Sequence, residues 1–357
     1  MLAEAMIGGA AAISLAAAGT AIINTSRQSA YFYSNARIAS RRVLSGKDFL
    51  DLAKARNLGE LIGFLKETSY FPYLENINRN DIRQFNMAVE ESLVHTLHEM
   101  KDISPSRFRP VFDAYTKSIE STVIKTFFRS RFSRVDIPEN LLRPIGSINS
   151  VLLKHLSDTK TVADMKVVLQ DTEYGAIFSR EYASIEEFDI AMGESVFLSV
   201  HKTLSRLKLY DQKAILDVFR RRKEVRDILR LLKFRIRGVS KERQRAFFGP
   251  DSTAMNNAID APTLPEFTGS FHGTEYEKPL LQAYQEYERY DDYYSFEREL
   301  LRHHYDMVDQ NALAHSIGPY PIIAYITRKK RERRNLFILA KCITAGFSQE
   351  DIRRRII

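Results

Sequence analysis

The chain is 357 residues long, 44% hydrophobic and 27% charged, with 53 Lys+Arg against 45 Asp+Glu, a net charge of +8 and a pI near 9.3. This is the composition of a globular protein, not of a disordered or fibrous chain, and the length allows two or three domains. A single cysteine, Cys342, excludes an intrachain disulfide and fits a reducing compartment, and its one Cys and eight His show no metal-ligand spacing.

The first 26 residues differ from the rest. Ala5 to Ile23 carries neither charge nor proline, and as a helix it would reach about 28 Å, close to the hydrocarbon thickness of a bilayer. Glu4 and the absence of a leading Lys or Arg argue against a secretory signal. Ile7, Gly8, Ala12, Ile13, Leu15, Ala16, Thr20, Ile22 and Ile23 are the expected membrane-anchor residues; Gly8, Ala12, Ala16 and Thr20 fall four apart, a small-residue ladder for close helix approach. Arg27, Arg37, Arg41, Arg42 and Lys47 follow, which keeps the body on the cytoplasmic side. A buried or interfacial helix is the alternative reading.

Next, Tyr31 to Leu44 reads as a helix that Ser45-Gly46 stops, and Lys47 to Lys66 as one or two short helices. Pro72 turns the chain into a long helix from Asn80 to Met100, with Ile82, Phe85, Val89, Leu93 and Leu97 on one face. Another runs from Val111 to Phe132. Helices are then expected at 150–157, 162–170, 185–207 and 212–238. After Pro250, a loose Pro/Gly-rich stretch precedes one aromatic-rich helix from Glu277 to His304. Ile322 to Ala345, stopped by Gly346, and Gln349 to Ile356 complete the chain. No sustained period-2 alternation appears, so the fold class is all-α.

A repeat runs through these elements. Thr68-Ser69-Tyr70 returns as Thr172-Glu173-Tyr174, 104 residues on, and as Thr274-Glu275-Tyr276 after 102 more. Three, seven and ten residues before each Thr stand Leu65, Leu61, Leu58; Leu169, Met165, Val162; and Phe271, Phe267, Leu264. Those offsets are one apolar stripe of a helix. Glu120, Glu224 and Glu332 recur 104 and 108 apart on the last long helix of each copy, and Gly238 and Gly346 follow the last two at a common offset. The chain therefore divides into a hydrophobic segment at 1–26 and three helical modules at 27–144, 145–250 and 251–357. The Thr should close a turn and the Tyr pack between helices, without a ligand.

Chemistry-bearing motifs are missing. There is no phosphate loop and no dinucleotide fingerprint, and Ser, His and Asp are not organised as a catalytic set. Adjacent His303 and His304 diverge on a helix. No catalytic, cofactor-binding or metal residue is assigned, and no cofactor is expected. Two basic runs stand out, Arg220 to Lys223 and Arg328 to Arg334. They read as solvated helix faces, as docking sites for an acidic protein surface or lipid headgroups, or as a nucleic-acid patch; the interspersed Glu224 and Glu332 weigh against nucleic acid, which is not expected as a partner.

Tyr33-Ser34-Asn35-Ala36-Arg37 with Arg41-Arg42, the run Leu61 to Tyr70, and Pro321 to Gly346 with Ala324-Tyr325-Ile326 and Glu332-x-x-Asn335-Leu336 together resemble the C subunit of archaeal-type (A-type) ATP synthases, the relative of the d subunit of V-type ATPases. The resemblance spans residues 30 to 350. It implies a pseudo-threefold funnel of three helical modules and a non-catalytic central-stalk subunit. Such a subunit sits on the cytoplasmic face of the proteolipid rotor ring at the cell membrane. It receives the foot of the central axle, coupling ion translocation to ATP synthesis or the reverse, with no small-molecule substrate. Arg220, Arg221, Arg222, Arg328, Lys329 and Lys330 are the expected contacts to the axle. The competing readings are a membrane-tethered helical-repeat scaffold for cytoplasmic proteins, which predicts an open solenoid, and an enzyme with a site in a central cavity.

Overall fold

A computed structural model describes residues 34–39, 41–135, 144–205, 212–248, 252–315 and 318–357. The expected anchor, Ile7 to Ile23, lies outside the described residues. Among those described, no helix is long and apolar enough to cross a membrane.

The described chain is all-helical, with no strand beyond an isolated bridge between Ile145 and Ile148. Its long helices are α1 (Ile82–Ile103), α2 (Arg109–Ser133), α3 (Ile185–Ser205), α4 (Gln212–Ile236), α5 (Glu277–Tyr290), α6 (Tyr294–Ala314) and α7 (Tyr320–Thr344). On α1 the stripe Phe85, Val89, Leu93 and Leu97 is buried, as a helix with one wet face requires.

Short helices lead into each repeated Thr-x-Tyr. Leu58–Phe64, Val162–Leu169 and Leu264–Gly269 start on the caps Asn57, Thr161 and Thr263, whose side chains accept the backbone N–H three residues on. The stripe positions before each Thr are the core of these segments: Leu61, Leu65, Met165, Leu169, Phe267 and Phe271 are at most 1% exposed. Each such side chain contributes about 1.5–3 kcal/mol on burial.

Two expectations are corrected. Ser45-Gly46 does not stop a helix. Ser45 caps the start of Gly46–Leu52, and Asp48 reaches back to the Ser45 backbone to complete a capping box. The helix expected from Glu277 to His304 is two helices, α5 and α6. Asp291 takes φ +50° and caps α5, Asp292 accepts from the Tyr294 N–H, and the Ser295 hydroxyl donates to the Ala283 carbonyl at 2.8 Å, so α6 folds back on α5. Aromatic residues continue through the break, which hides it from a periodicity reading.

Among the described residues the apolar core forms three clusters, each joining short leading helices to one of the long helices α7, α2 and α4. Phe49, Leu61, Leu65 and Tyr70 pack with Leu336, Leu339 and Ile343 of α7. Leu156, Met165, Leu169 and Tyr174 pack with Ile124, Phe127 and Phe128 of α2. Phe267, Phe271 and Tyr276 pack with Val225, Ile228 and Leu232 of α4. In the cluster around α2, Phe128 stacks on Phe188 of α3 with ring centroids 3.6 Å apart.

Candidate partner interface

The repeated Thr-x-Tyr has one geometry three times. Each Thr hydroxyl donates to the carbonyl three residues before it, Leu65, Leu169 and Phe271, at 2.7 Å. Each Tyr N–H then donates to the Thr hydroxyl at 3.2–3.3 Å. This closes the turn and drives the phenol inward. There the phenols meet the repeated glutamates. Tyr174 donates to Glu120 at 2.5 Å, Tyr276 to Glu224 at 2.7 Å, and Tyr70 to Glu332 at 2.6 Å. Burial, and then the facing carboxylate, hold all three phenols above their ordinary range, so they stay protonated and donate. Sequence reading found both halves of these joints without pairing them, because the partners are 54, 52 and 262 residues apart.

Two joints also receive a backbone N–H from the chain leading into the next helices. Glu120 accepts from the Ser147 N–H at 2.8 Å and its hydroxyl at 2.9 Å. Glu332 accepts from the Leu44 N–H and from Lys329. Gly146 permits the first of these. Its φ is +56°, and a Cβ there would overlap the Glu120 carboxylate.

Helices α2, α3, α4, α6 and α7 line an open cavity of about 720 Å³. Positions five and two before each repeated Glu line it: Tyr115 and Ser118, Phe219 and Arg222, Thr327 and Lys330. Three residues apart is one helix face, so the same face of three equivalent helices looks inward. The wall is strongly cationic. Lys125 and Arg129 from α2, Arg222, Lys223, Arg226, Arg230 and Lys233 from α4, Arg237 just after it, and Lys330 and Arg333 from α7 oppose, among the described residues, Glu186, Asp189 and Glu297.

Several of these cations have acid partners: Arg129 with Asp189, Arg237 with Glu186, Arg333 with Glu90, and Lys223 with Glu194 at 3.1 Å. Lys125, Arg222 and Lys330 pair with no carboxylate among the described residues, and Arg226 has only its neighbour Asp227 at 3.8 Å. The buried Nε and Nη2 of Arg226 and Nδ1 of His304 have no hydrogen-bond partner. Gly193 on α3 makes room for this crowd, since a Cβ there would stand 2.9 Å from Arg230 Nη2 and 3.2 Å from Arg226 Nη1. Burial pushes the Lys125 ammonium down to about 8 and the Lys330 ammonium, beside Arg222 and Arg333, to about 7. It lowers Arg226 to about 10 and holds His304 well below the usual imidazole range.

Of the six basic residues singled out by sequence, Arg222 and Lys330 line this cavity. Arg220 pairs with Asp217 and Glu224, and Arg221 with Asp217 and Glu275. Arg328 pairs with Asp309 at 2.8 Å, and Lys329 is buried against Glu332 with its ammonium 4.3 Å from the Tyr70 ring centroid. Lys125, Arg226 and Arg230 were missed as cavity residues. The register of the repeated Glu is the signal that points to this face: it places Arg222 and Lys330 at one equivalent position. Among the described residues no group of three or more His, Cys, Asp or Glu is placed to hold a metal ion.

The profile of the ATP synthase (C/AC39) subunit family matches residues 34–355. A Methanocaldococcus jannaschii protein, named as the C subunit of an A-type ATP synthase, is 26% identical to this chain, over 92% of it and 86% of the relative. Proteins of the same name from Thermococcus onnurineus and Pyrococcus abyssi are 24% and 22% identical, each over 91% of this chain and 90% of the relative. The match covers every long helix, both partners of each Tyr–Glu joint and the cavity wall, and the chain belongs to the ATP synthase (C/AC39) subunit family.

Proposed function

We propose that this chain is the non-catalytic central-stalk subunit of an A-type/V-type rotary ATP synthase. In this reading modules 27–144, 145–250 and 251–357 form a pseudo-threefold funnel on the cytoplasmic face of the proteolipid ring. The funnel holds the foot of the rotor axle in its cavity, so that ion translocation drives ATP synthesis or the reverse. The hydrophobic segment 1–26 anchors the subunit in or beside the ring.

The cyclic order of the Tyr–Glu joints carries this reading. The second module's Tyr174 binds the first module's Glu120, the third module's Tyr276 binds the second's Glu224, and the first module's Tyr70 binds the last module's Glu332. An open solenoid with nearest-neighbour stacking would leave Tyr70 and Glu332 far apart. A closed set of packed helices resists shear, as torque transfer requires, and its cationic cavity is a socket for an acidic partner.

Mild-detergent purification followed by mass spectrometry tests the role. Co-purification with proteolipid-ring and catalytic-head subunits is expected; recovery alone or with unrelated proteins overturns it. Reversing the cavity charges with Arg222→Glu and Lys330→Glu is expected to abolish axle association at physiological salt while ring association persists. Deleting Met1 to Asn24 is expected to release the protein from high-salt-washed membranes that lack the ring.

A further inference from the structure

We propose that Lys125, Arg222, Arg226 and Lys330 form a carboxylate-recognising lining of the cavity, and that seating an acidic, amphipathic helical segment of a partner protein there takes up protons. This rests on the socket reading above and adds to it the chemistry of the occupant and a dependence on pH. The geometry supplies the first part. Four cations from three long helices converge on one cavity with little or no acid compensation, and buried nitrogens of Arg226 and His304 point to no partner. Buried charge of one sign is held at a cost that an incoming opposite charge relieves.

The remainder of the wall identifies the occupant. Val196, Phe219, Leu229 and Leu301 line the same cavity as the cations. A mixed apolar and cationic lining suits a helix with carboxylates on one face and apolar side chains on the other. A free oxyanion would meet the same Arg and Lys side chains but leave the apolar part of the wall uncovered.

The dependence on pH follows from what faces each lysine. Arg333 on its own helix, Arg222 of α4, Glu90 of α1, the Tyr115 ring of α2 at 4.9 Å and His304 of α6 surround Lys330. Glu90 is already engaged by Arg333. Asp189 of α3, Arg226 and Arg230 of α4, and Arg129 of its own helix surround Lys125, and Asp189 is engaged by Arg129. Around each lysine the cations outnumber the free carboxylates. In the empty cavity the two ammonium groups therefore lose their protons near neutral to mildly alkaline pH. A partner carboxylate restores them, so binding draws protons from solution and tightens as pH falls.

The test uses the full chain with the purified axle subunits of the same synthase, and separately with an oligoglutamate peptide and with pyrophosphate. Affinity is measured by calorimetry in buffers of different ionisation enthalpy. Axle binding is expected to weaken at least about tenfold from about pH 6.5 to about pH 9, with proton uptake near neutrality. The double variant Lys125→Arg, Lys330→Arg keeps both charges without titrating, so it is expected to bind equally well at both pH values. If it does not fold, Lys330→Met is expected to bind weakly throughout with a flattened profile. Axle binding that ignores pH, or arginine variants that keep the wild-type profile, overturns the proton linkage and leaves the socket reading standing. Oligoglutamate binding with the expected profile but no axle binding supports the cavity chemistry and overturns the socket. Pyrophosphate binding in preference to oligoglutamate identifies an oxyanion site and overturns the acidic segment. Binding of none of the three overturns both readings.

Discussion

Glu120 and Glu332 occupy equivalent positions but different surroundings, and that difference sets what each is worth. Among the described residues Glu120 accepts from neutral donors alone, the Ser147 backbone and hydroxyl and the Tyr174 phenol. Replacing it with Gln keeps an acceptor and the shape, so Glu120→Gln is expected to cost about 1–2 kcal/mol. Glu332 also neutralises Lys329, and both side chains are only 2% exposed. Glu332→Gln leaves a buried ammonium without its counter-charge, a change of about 3–5 kcal/mol. Urea denaturation of the two variants should therefore rank Glu332→Gln as clearly the more damaging. Equal losses would show that Lys329 finds another partner. The residues of these joints were legible in the sequence as two separate repeats. Their pairing was not, because a period locates equivalent residues within modules and is silent about which module touches which. Tyr70 and Glu332 meet only because two stretches 262 residues apart come together.

Helix ends show what periodicity can and cannot reveal. Gly238 and Gly346 sit at positive φ, and the following N–H groups of Val239 and Phe347 return to Phe234 and Cys342 at 3.0 Å, closing α4 and α7. Both were visible as glycines at one offset after Glu224 and Glu332. The same offset after Glu120 is Arg134, which adopts φ +54° while the Val135 N–H returns to Ser130 at 2.9 Å. Composition could not flag that position, since the backbone is left-handed despite the side chain. A non-glycine residue there costs about 1 kcal/mol, and the Arg134 side chain is exposed. Arg134→Gly is thus expected to raise stability by about 0.5–1 kcal/mol, read as a higher denaturation midpoint with an unchanged slope. The break at Asp291 escaped notice for the related reason that aromatic periodicity runs through it. The break at Ser45 was misread because Ser-Gly serves a helix start as readily as a stop.

At the scale of the whole molecule, the class of the fold, its repeat and most helix bounds were legible, and the cavity was not. Basic runs on amphipathic helices look like solvated faces until the helices are arranged around a centre, and then one flank of α4 and part of α7 become an inner wall. That wall has a thermodynamic signature in the free chain. Lys330 has a folded-state value of about 7, below the 10.5 of an unperturbed lysine. Between those values the unfolded chain binds a proton that the folded chain does not, so stability rises with pH across this window. Below about pH 7 both states are protonated and the full penalty of the buried charge is present. Lys330→Met removes the charge and keeps most of the volume over the Tyr115 ring. Its expected effect is a stability gain of about 1–2 kcal/mol near pH 6.5, shrinking as pH approaches about 10. Thermal melts of wild type and variant across that range measure it directly. A gain that does not change with pH would assign the effect to packing, and a loss would show that the cation–π contact outweighs desolvation. On the socket reading proposed above, the expected gain would come with weaker partner binding, because the charge that destabilises the free chain is the one that the cavity would offer to a partner.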